Sequence, residues 1–307
     1  MSEVARREFL AATLCAAGAA VVRVHAADAA MTVSLSCRMV EERNSRPSPM
    51  PYEAFLALTK GAGYDAICLR ASQGGIYTPL ERLYEMSRLT KEAGLKVSMV
   101  TPDFPVPANT AQAADCLRHI TPYLDVAEIF GSDMIRVGMK KDDDIVWAQR
   151  AADEAKERKV RLVHHGELHT MFATFDESMR TLKAVKRSNF GYVHDEAQWM
   201  VNTRGYRADQ IGQRIRAIAP WLWNVYVKNQ HADKAGCECG GDPELKLSDP
   251  AGVDFGRMFD SLYAIHYSGP ITVHAVSAPF ANQQEAAAEC SRYLRPFANH
   301  SAMRRTS

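Results

Sequence analysis

The chain has 307 residues, of which 47% are hydrophobic and 24% charged, and its 37 basic and 36 acidic residues leave a formal net charge of +1. This usage is typical of a globular protein long enough to bury a large core, and it excludes disorder as the main state. The charges show no basic surplus of the kind that binding to a nucleic-acid backbone requires, so we expect no nucleic-acid partner.

The first thirty residues differ from the rest and predict an export signal. Arg6 and Arg7 precede Phe9 and Leu10, a small and apolar run occupies residues 11–22, and residues suited to cleavage follow at 24–29. This order is typical of a twin-arginine-type signal and indicates an exported, periplasmic protein. An amphipathic helix and an uncleaved anchor are the alternatives, but the run is shorter than the roughly 20 residues of a membrane-spanning helix. After signal removal we expect no membrane span.

The region from residue 31 to 300 alternates between short β-branched runs and longer helical patterns, which is the signature of parallel α/β architecture. Successive strands start at intervals of roughly thirty residues, the length of one βαβ unit, with a longer gap before the last. The sequence predicts eight strands, at residues 32–36, 65–70, 96–101, 133–137, 160–164, 190–194, 223–228 and 270–274.

Helical patterns fill the gaps between these strands. They cover residues 52–60, 79–93 and 145–158, and the Thr174-Phe-Asp-Glu177 segment has the pattern of a capping box that begins a helix ending at Val185. No glycine-rich phosphate turn follows the first strand, and no linker divides the chain. The pattern therefore favours one α/β domain, a closed (β/α)8 TIM-type barrel over residues 31–300 with a tail at 301–307.

In such a barrel, inward-facing side chains at the carboxyl ends of the strands surround the active-site mouth. This rule places His165 and Glu167 after strand five, Asp195 after strand six and His274 at the end of strand eight. Imidazole and carboxylate groups together suit a divalent ion, so we expect these four to bind one metal ion: Mn, Mg, Zn or Co. A solvated loop with histidines on its rim is the alternative.

Other residues near the strand ends have the chemistry of substrate contacts. Lys228 suits the neutralisation of an enediolate or another anionic group, and its alternative is a strand-end lysine that reaches solvent. Arg70, Arg136, His231 and Tyr226 are candidates for substrate binding. The two arginines have a second interpretation, in which they pair with interior carboxylates and serve as scaffold. For proton transfer the candidates are Glu167, Lys228 and a histidine that binds no metal, His169.

Several segments together resemble the xylose isomerase-like barrel superfamily, the group of sugar phosphate isomerases and epimerases, over essentially the whole region after the signal. They include residues 64–70, 131–137, 172–178, 189–195 and 225–229. The resemblance implies one divalent metal, held by a carboxylate after strand five, an acidic residue after strand six, a histidine after strand seven and a glutamate after strand eight. It also implies hydrogen transfer between adjacent carbons of a sugar through an enediol.

The chain departs from the implied ligand pattern at three strands. His165 and Glu167 stand where a single glutamate is usual, Tyr226 takes the usual histidine position and His274 replaces the glutamate, so only Asp195 carries over unchanged. We therefore expect a metal-dependent isomerase or epimerase acting on a sugar or sugar derivative, and these departures put its two-carboxylate proton shuttle in doubt.

Three alternatives to that function stay open. The same enediolate can eliminate a leaving group, which would make the protein a lyase of 3-keto-glycosides. A periplasmic barrel that binds sugar without catalysis would explain the missing glutamate after strand eight. An endonuclease of the abasic-site type shares the barrel, but the near-zero net charge and the export signal count against it. The sequence leaves homo-oligomer formation open.

Overall fold

A computed structural model describes residues 30–42, 48–237 and 244–299. The predicted export signal, apart from its last residue, and the predicted tail at 301–307 lie outside the described residues. Among those described, no helix combines the length and the hydropathy that a membrane crossing requires.

Eight parallel strands close into a barrel in which each strand pairs with its sequence neighbours, and the first pairs with the last. Every observed strand end lies within one residue of its predicted position. The prediction of a single (β/α)8 barrel is confirmed. The strands are β1 (Thr32–Ser36), β2 (Ala66–Arg70), β3 (Lys96–Thr101), β4 (Met134–Val137), β5 (Arg161–His165), β6 (Phe190–Asp195), β7 (Leu222–Val227) and β8 (Pro270–Val273).

A ring of helices covers the outside of the barrel. Thr174 caps the sixth helix, and its hydroxyl and the Glu177 carboxylate each accept a backbone N–H, which is the predicted capping box. The helices are α1 (Tyr52–Gly61), α2 (Leu80–Glu92), α3 (Pro105–Ala108), α4 (Thr121–Phe130), α5 (Asp144–Glu157), α6 (Phe175–Val185), α7 (Glu196–Asn202), α8 (Ile211–Ile218), α9 (Phe255–Ala264) and α10 (Gln283–Ala298).

The barrel strands are buried on both faces, which is why they read as almost continuous apolar runs. Outward side chains such as Leu35 and Leu69 join the large core between strands and helices. Inward side chains form a second packed cluster inside the barrel, made of Cys68, Met99, Met134, Val163, Val193, Trp223 and Tyr226. This interior cluster fills the barrel below its carboxyl end, so the polar residues of the strand ends lie above a packed apolar layer.

Candidate active site

The last residues of β5 and β6 place an imidazole and a carboxylate side by side at the mouth of the barrel. His165 ends β5 and Asp195 ends β6, and both side chains are almost completely buried. Gly166 then turns the chain so that Glu167 returns toward His165. A Cβ atom at residue 166 would lie 2.7 Å from the carbonyl oxygen of Phe172, and closer still to the Tyr192 hydroxyl, so only glycine fits this close approach.

His165 connects two carboxylates into one hydrogen-bonded chain. Its Nδ1 atom lies 3.2 Å from Glu167 Oε1, and its Nε2 atom lies 2.9 Å from Asp195 Oδ2. Glu167 is the outer member, with 21% of its side chain exposed, whereas Asp195 is fully enclosed. We call these three residues the acid–base chain.

Each carboxylate of the acid–base chain also has a basic partner. Arg136 on β4 donates from Nη2 to Glu167 Oε1 over 2.6 Å. Lys228, just after β7, brings Nζ to 3.5 Å from Asp195 Oδ2 and donates to the Gln198 side-chain oxygen over 2.8 Å. Both basic side chains are buried, at 2% and 6% exposure, so their charges act at short range with little screening by water.

These contacts fix the charge of the two carboxylates. Burial raises the pKa of Glu167, but the charge of Arg136 and the hydrogen bond from His165 outweigh it and hold that pKa well below its usual range. Burial likewise raises the pKa of Asp195, and the charge of Lys228 together with His165 lowers it to about 2. Both carboxylates are therefore ionised at neutral pH and can only accept hydrogen bonds.

His274 lies across the mouth from the acid–base chain. It directly follows β8, its Nδ1 atom lies 3.1 Å from Ser36 Oγ, and its ring centre lies 5.7 Å from that of His165. Burial, and then the charges of Arg70 and Arg38, lower the pKa of His274 well below its ordinary value. His274 is therefore a neutral imidazole at neutral pH.

Tyr226 supports the two imidazoles from inside the barrel. Its ring stacks on His274 with 3.8 Å between centroids and meets His165 at 4.9 Å. The hydroxyl lies 3.6 Å from Cys68 Sγ, within the interior cluster, and the residue is only 1% exposed. The structure thus places this predicted substrate-binding residue beneath the mouth.

The other predicted site residues lie apart from the acid–base chain. Arg70 forms a two-pronged ion pair with Glu41, with bonds of 2.7 and 2.8 Å, as in the scaffold interpretation. His169 is exposed, with a left-handed φ of 61°, and His231 is half-buried before a short 3-10 helix. Among the described residues, no hydrogen bond joins either histidine to the acid–base chain.

Sequence reasoning missed two polar residues of the mouth. The Gln198 backbone N–H donates to Asp195 Oδ1 over 2.9 Å, while its side chain holds Lys228. Asp195 is the N-cap of α7, and the Asp-x-x-Gln spacing is a signal that would have indicated this contact. Glu41 follows β1, a strand to whose end no candidate was assigned.

The predicted metal ligands do not form a metal centre in this arrangement. Among residues 30–42, 48–237 and 244–299, no three His, Cys, Asp or Glu side chains are grouped so as to hold a metal ion. Both nitrogens of His165 face carboxylate oxygens, so a metal ion would have to displace one of these contacts to reach the ring. A divalent ion would also enter between Arg136 and Lys228, so these residues do not fit it as they are paired.

A family model described as the xylose isomerase-like TIM barrel matches residues 56–297. No curated protein matches the chain at a significant level. Because residues 56–297 span most of the barrel, the match covers all but the first of its strands.

Solved structures share the fold at low sequence identity. A probable 3-DHS dehydratase from Bacillus anthracis is 13% identical, with a TM-score of 0.67 over 86% of this chain and 98% of the other. A D-allulose 3-epimerase from Methylomonas sp. is 16% identical, with a TM-score of 0.62 over 88% of this chain and 98% of the other. A xylose isomerase-like TIM barrel protein from Mycobacterium smegmatis, in complex with magnesium, is 14% identical, with a TM-score of 0.67 over 88% and 97%.

The chain also covers 44% of a fusion protein in which such a barrel is joined to a 4-hydroxyphenylpyruvate dioxygenase, at 13% identity and a TM-score of 0.66. At these identities the structural likeness shows the fold alone, whereas the family model matches the sequence itself. The chain belongs to the xylose isomerase-like TIM barrel family.

Proposed function

We propose that the protein is an isomerase or epimerase of a sugar or keto-sugar derivative and that it works through an enediolate. The observation that carries this proposal is the acid–base chain at the mouth of the barrel, Glu167–His165–Asp195, with Arg136 and Lys228 against its two carboxylates. Family membership and the likeness to an epimerase support a carbohydrate-modifying enzyme.

Enediolate formation needs a base beside a C–H bond that is next to a carbonyl group. Glu167 is the member of the acid–base chain that solvent reaches, so we assign it as the base. Its ion pair with Arg136 keeps it a weak base in the free protein. When a substrate oxygen takes the hydrogen bond from Arg136, Glu167 loses that partner and becomes more basic. Substrate binding would thereby activate the base.

The negative charge that develops on the substrate oxygen needs fixed positive groups nearby. Arg136 and Lys228 are buried beside the acid–base chain, and buried, preorganised donors stabilise such charge more than water does. His165, between the two carboxylates, is placed to exchange a proton with Glu167 at Nδ1. Asp195, 2.9 Å from Nε2 on the other side of the ring, holds the ring in this orientation.

The test is exchange of substrate hydrogen for deuterium in D2O, followed by proton NMR over a panel of ketoses, aldoses and 3-keto-glycosides. We expect wash-in at the carbon next to the carbonyl, and we expect Glu167→Gln to abolish it. Glu157→Gln, an exposed position at the end of α5, is the matched control and should keep full exchange.

The alternatives give different results in the same experiment. A lyase would release a leaving group from 3-keto-glycosides along with the exchange, a reaction that matches the likeness to a dehydratase. A binding protein would show affinity for one of the sugars without any wash-in, and that result would overturn the proposal.

A further inference from the structure

We infer that Arg136 and Lys228 stand where a divalent metal ion would otherwise sit, so that side-chain cations replace the metal in this barrel. The inference rests on the proposed function for the location of the site, which is the same mouth of the barrel. Its test, however, measures metal binding without any substrate.

Three of the four carboxylate oxygens of Glu167 and Asp195 already face hydrogen-bond donors. Glu167 Oε1 accepts from Arg136 at 2.6 Å and faces His165 at 3.2 Å, and Asp195 Oδ2 faces His165 at 2.9 Å and Lys228 at 3.5 Å. The second oxygen of Asp195 accepts the backbone N–H of Gln198. A metal ion at Glu167 Oε1 or at either oxygen of Asp195 would therefore have to displace an existing donor.

The charges of the two carboxylates are already balanced by side chains. Glu167 pairs with the guanidinium of Arg136, and Asp195 faces the ammonium of Lys228, so no net negative charge is left to attract a metal ion. The guanidinium cannot give up its charge under ordinary conditions. A divalent cation at hydrogen-bonding range would lie beside the buried charges of Arg136 and Lys228, and like charges repel strongly in a buried setting.

The guanidinium of Arg136 also has donor groups that no hydrogen bond within the described part of the chain uses. Nε and Nη1 of Arg136 are buried and have no hydrogen-bond partner among the described residues. Buried N–H groups of this kind need an acceptor, such as an oxyanion or a water molecule, and a metal ion offers none. The group is thus built to receive negative charge, as the enediolate of the proposed reaction requires.

The experiment measures Mn²⁺ binding to the full chain after treatment with EDTA, by electron paramagnetic resonance and titration calorimetry. We expect no stoichiometric site in the wild type. Removing both fixed cations in the Arg136→Met, Lys228→Met double variant should free the carboxylates and raise Mn²⁺ affinity by about 100-fold or more, because the repulsion is removed. The control pair Lys183→Met, Arg257→Met, both exposed on outer helices, should not change it.

Two results would overturn the inference. The first is stoichiometric Mn²⁺ binding by the wild type that His165→Asn abolishes. The second is a folded double variant that gains no Mn²⁺ affinity; if the double variant does not fold, as judged by circular dichroism, the single variant Lys228→Gln decides in the same way. A failure of deuterium wash-in with these metal results as expected would remove the proposed function and leave the inference standing.

Discussion

The ion pair between Arg70 and Glu41 offers the clearest way to test whether Arg70 is scaffold or substrate contact. The two side chains are 5% and 10% exposed and share two hydrogen bonds, and the Ser72 hydroxyl adds a third bond to the carboxylate. Burial raises the pKa of Glu41, but the charge and hydrogen bonds of Arg70 lower it overall. Removing Arg70 would leave a buried carboxylate with only a neutral hydroxyl.

The expected cost follows from that burial. Breaking a buried pair by removing one partner typically destabilises a protein by about 3–5 kcal/mol, a large part of the roughly 5–15 kcal/mol that holds a domain folded. We expect Arg70→Met to lower the free energy of unfolding by that amount. The double variant Arg70→Met, Glu41→Gln should recover a good part of it, because no charge remains unpaired.

The measurement is urea denaturation at pH 7, followed by circular dichroism. Arg88→Met is the matched control, because the Arg88–Glu92 pair is 58% and 57% exposed and its loss should cost less than about 1 kcal/mol. If Arg70→Met cost no more than the control, the scaffold interpretation would fail. If it also raised KM without loss of stability, Arg70 would be a substrate contact.

Two further predictions concern pH and export. The pKa of Asp195 is about 2 in the folded protein, below its ordinary value of 3.8. Its contribution of about 2 kcal/mol to the free energy of unfolding is therefore present above pH 4 and is lost as the pH falls toward 2. Between pH 5 and pH 2.5 the urea midpoint of the wild type should fall more steeply with decreasing pH than that of Asp195→Asn. An equal pH dependence in the two proteins would contradict this prediction. The export signal predicts that the double variant Arg6→Lys, Arg7→Lys blocks export, which cell fractionation would show. N-terminal sequencing of the exported wild-type protein should show cleavage near residues 26–29.

The barrel was predictable because its strands are buried on both faces and repeat at a regular spacing. Parity at the strand ends brought His165 and Asp195 together correctly, since adjacent parallel strands end at the same edge and both residues face inward. The alternation of side chains along a strand predicts which of them face inward, but not how far along the barrel axis they lie. Tyr226 faces inward as expected, but it belongs to the interior cluster below the mouth.

Sequence reasoning offered pairing with interior carboxylates as one interpretation of Arg70 and Arg136, but it could not name the partners. Arg136 and Glu167 are 31 residues apart, and so are separated by a full βα unit, while Lys228 and Gln198 are 30 apart. Such contacts depend on side-chain conformations that only the closed barrel determines. Residues predicted separately as metal ligands and substrate contacts are therefore paired with one another in the structure.

The unequal exposure of the two carboxylates has a consequence for stereochemistry under the proposed function. Of the two carboxylates only Glu167 reaches solvent, and Asp195 contacts the same His165 ring from the enclosed side. One base that removes and returns a proton acts on one face of the enediolate, which suits isomerisation. Epimerisation needs a second group on the opposite face, and the neutral His274, with its ring centre 5.7 Å from that of His165, is placed across the mouth for that role. Loss of epimerisation but not isomerisation in His274→Gln would therefore assign the two faces.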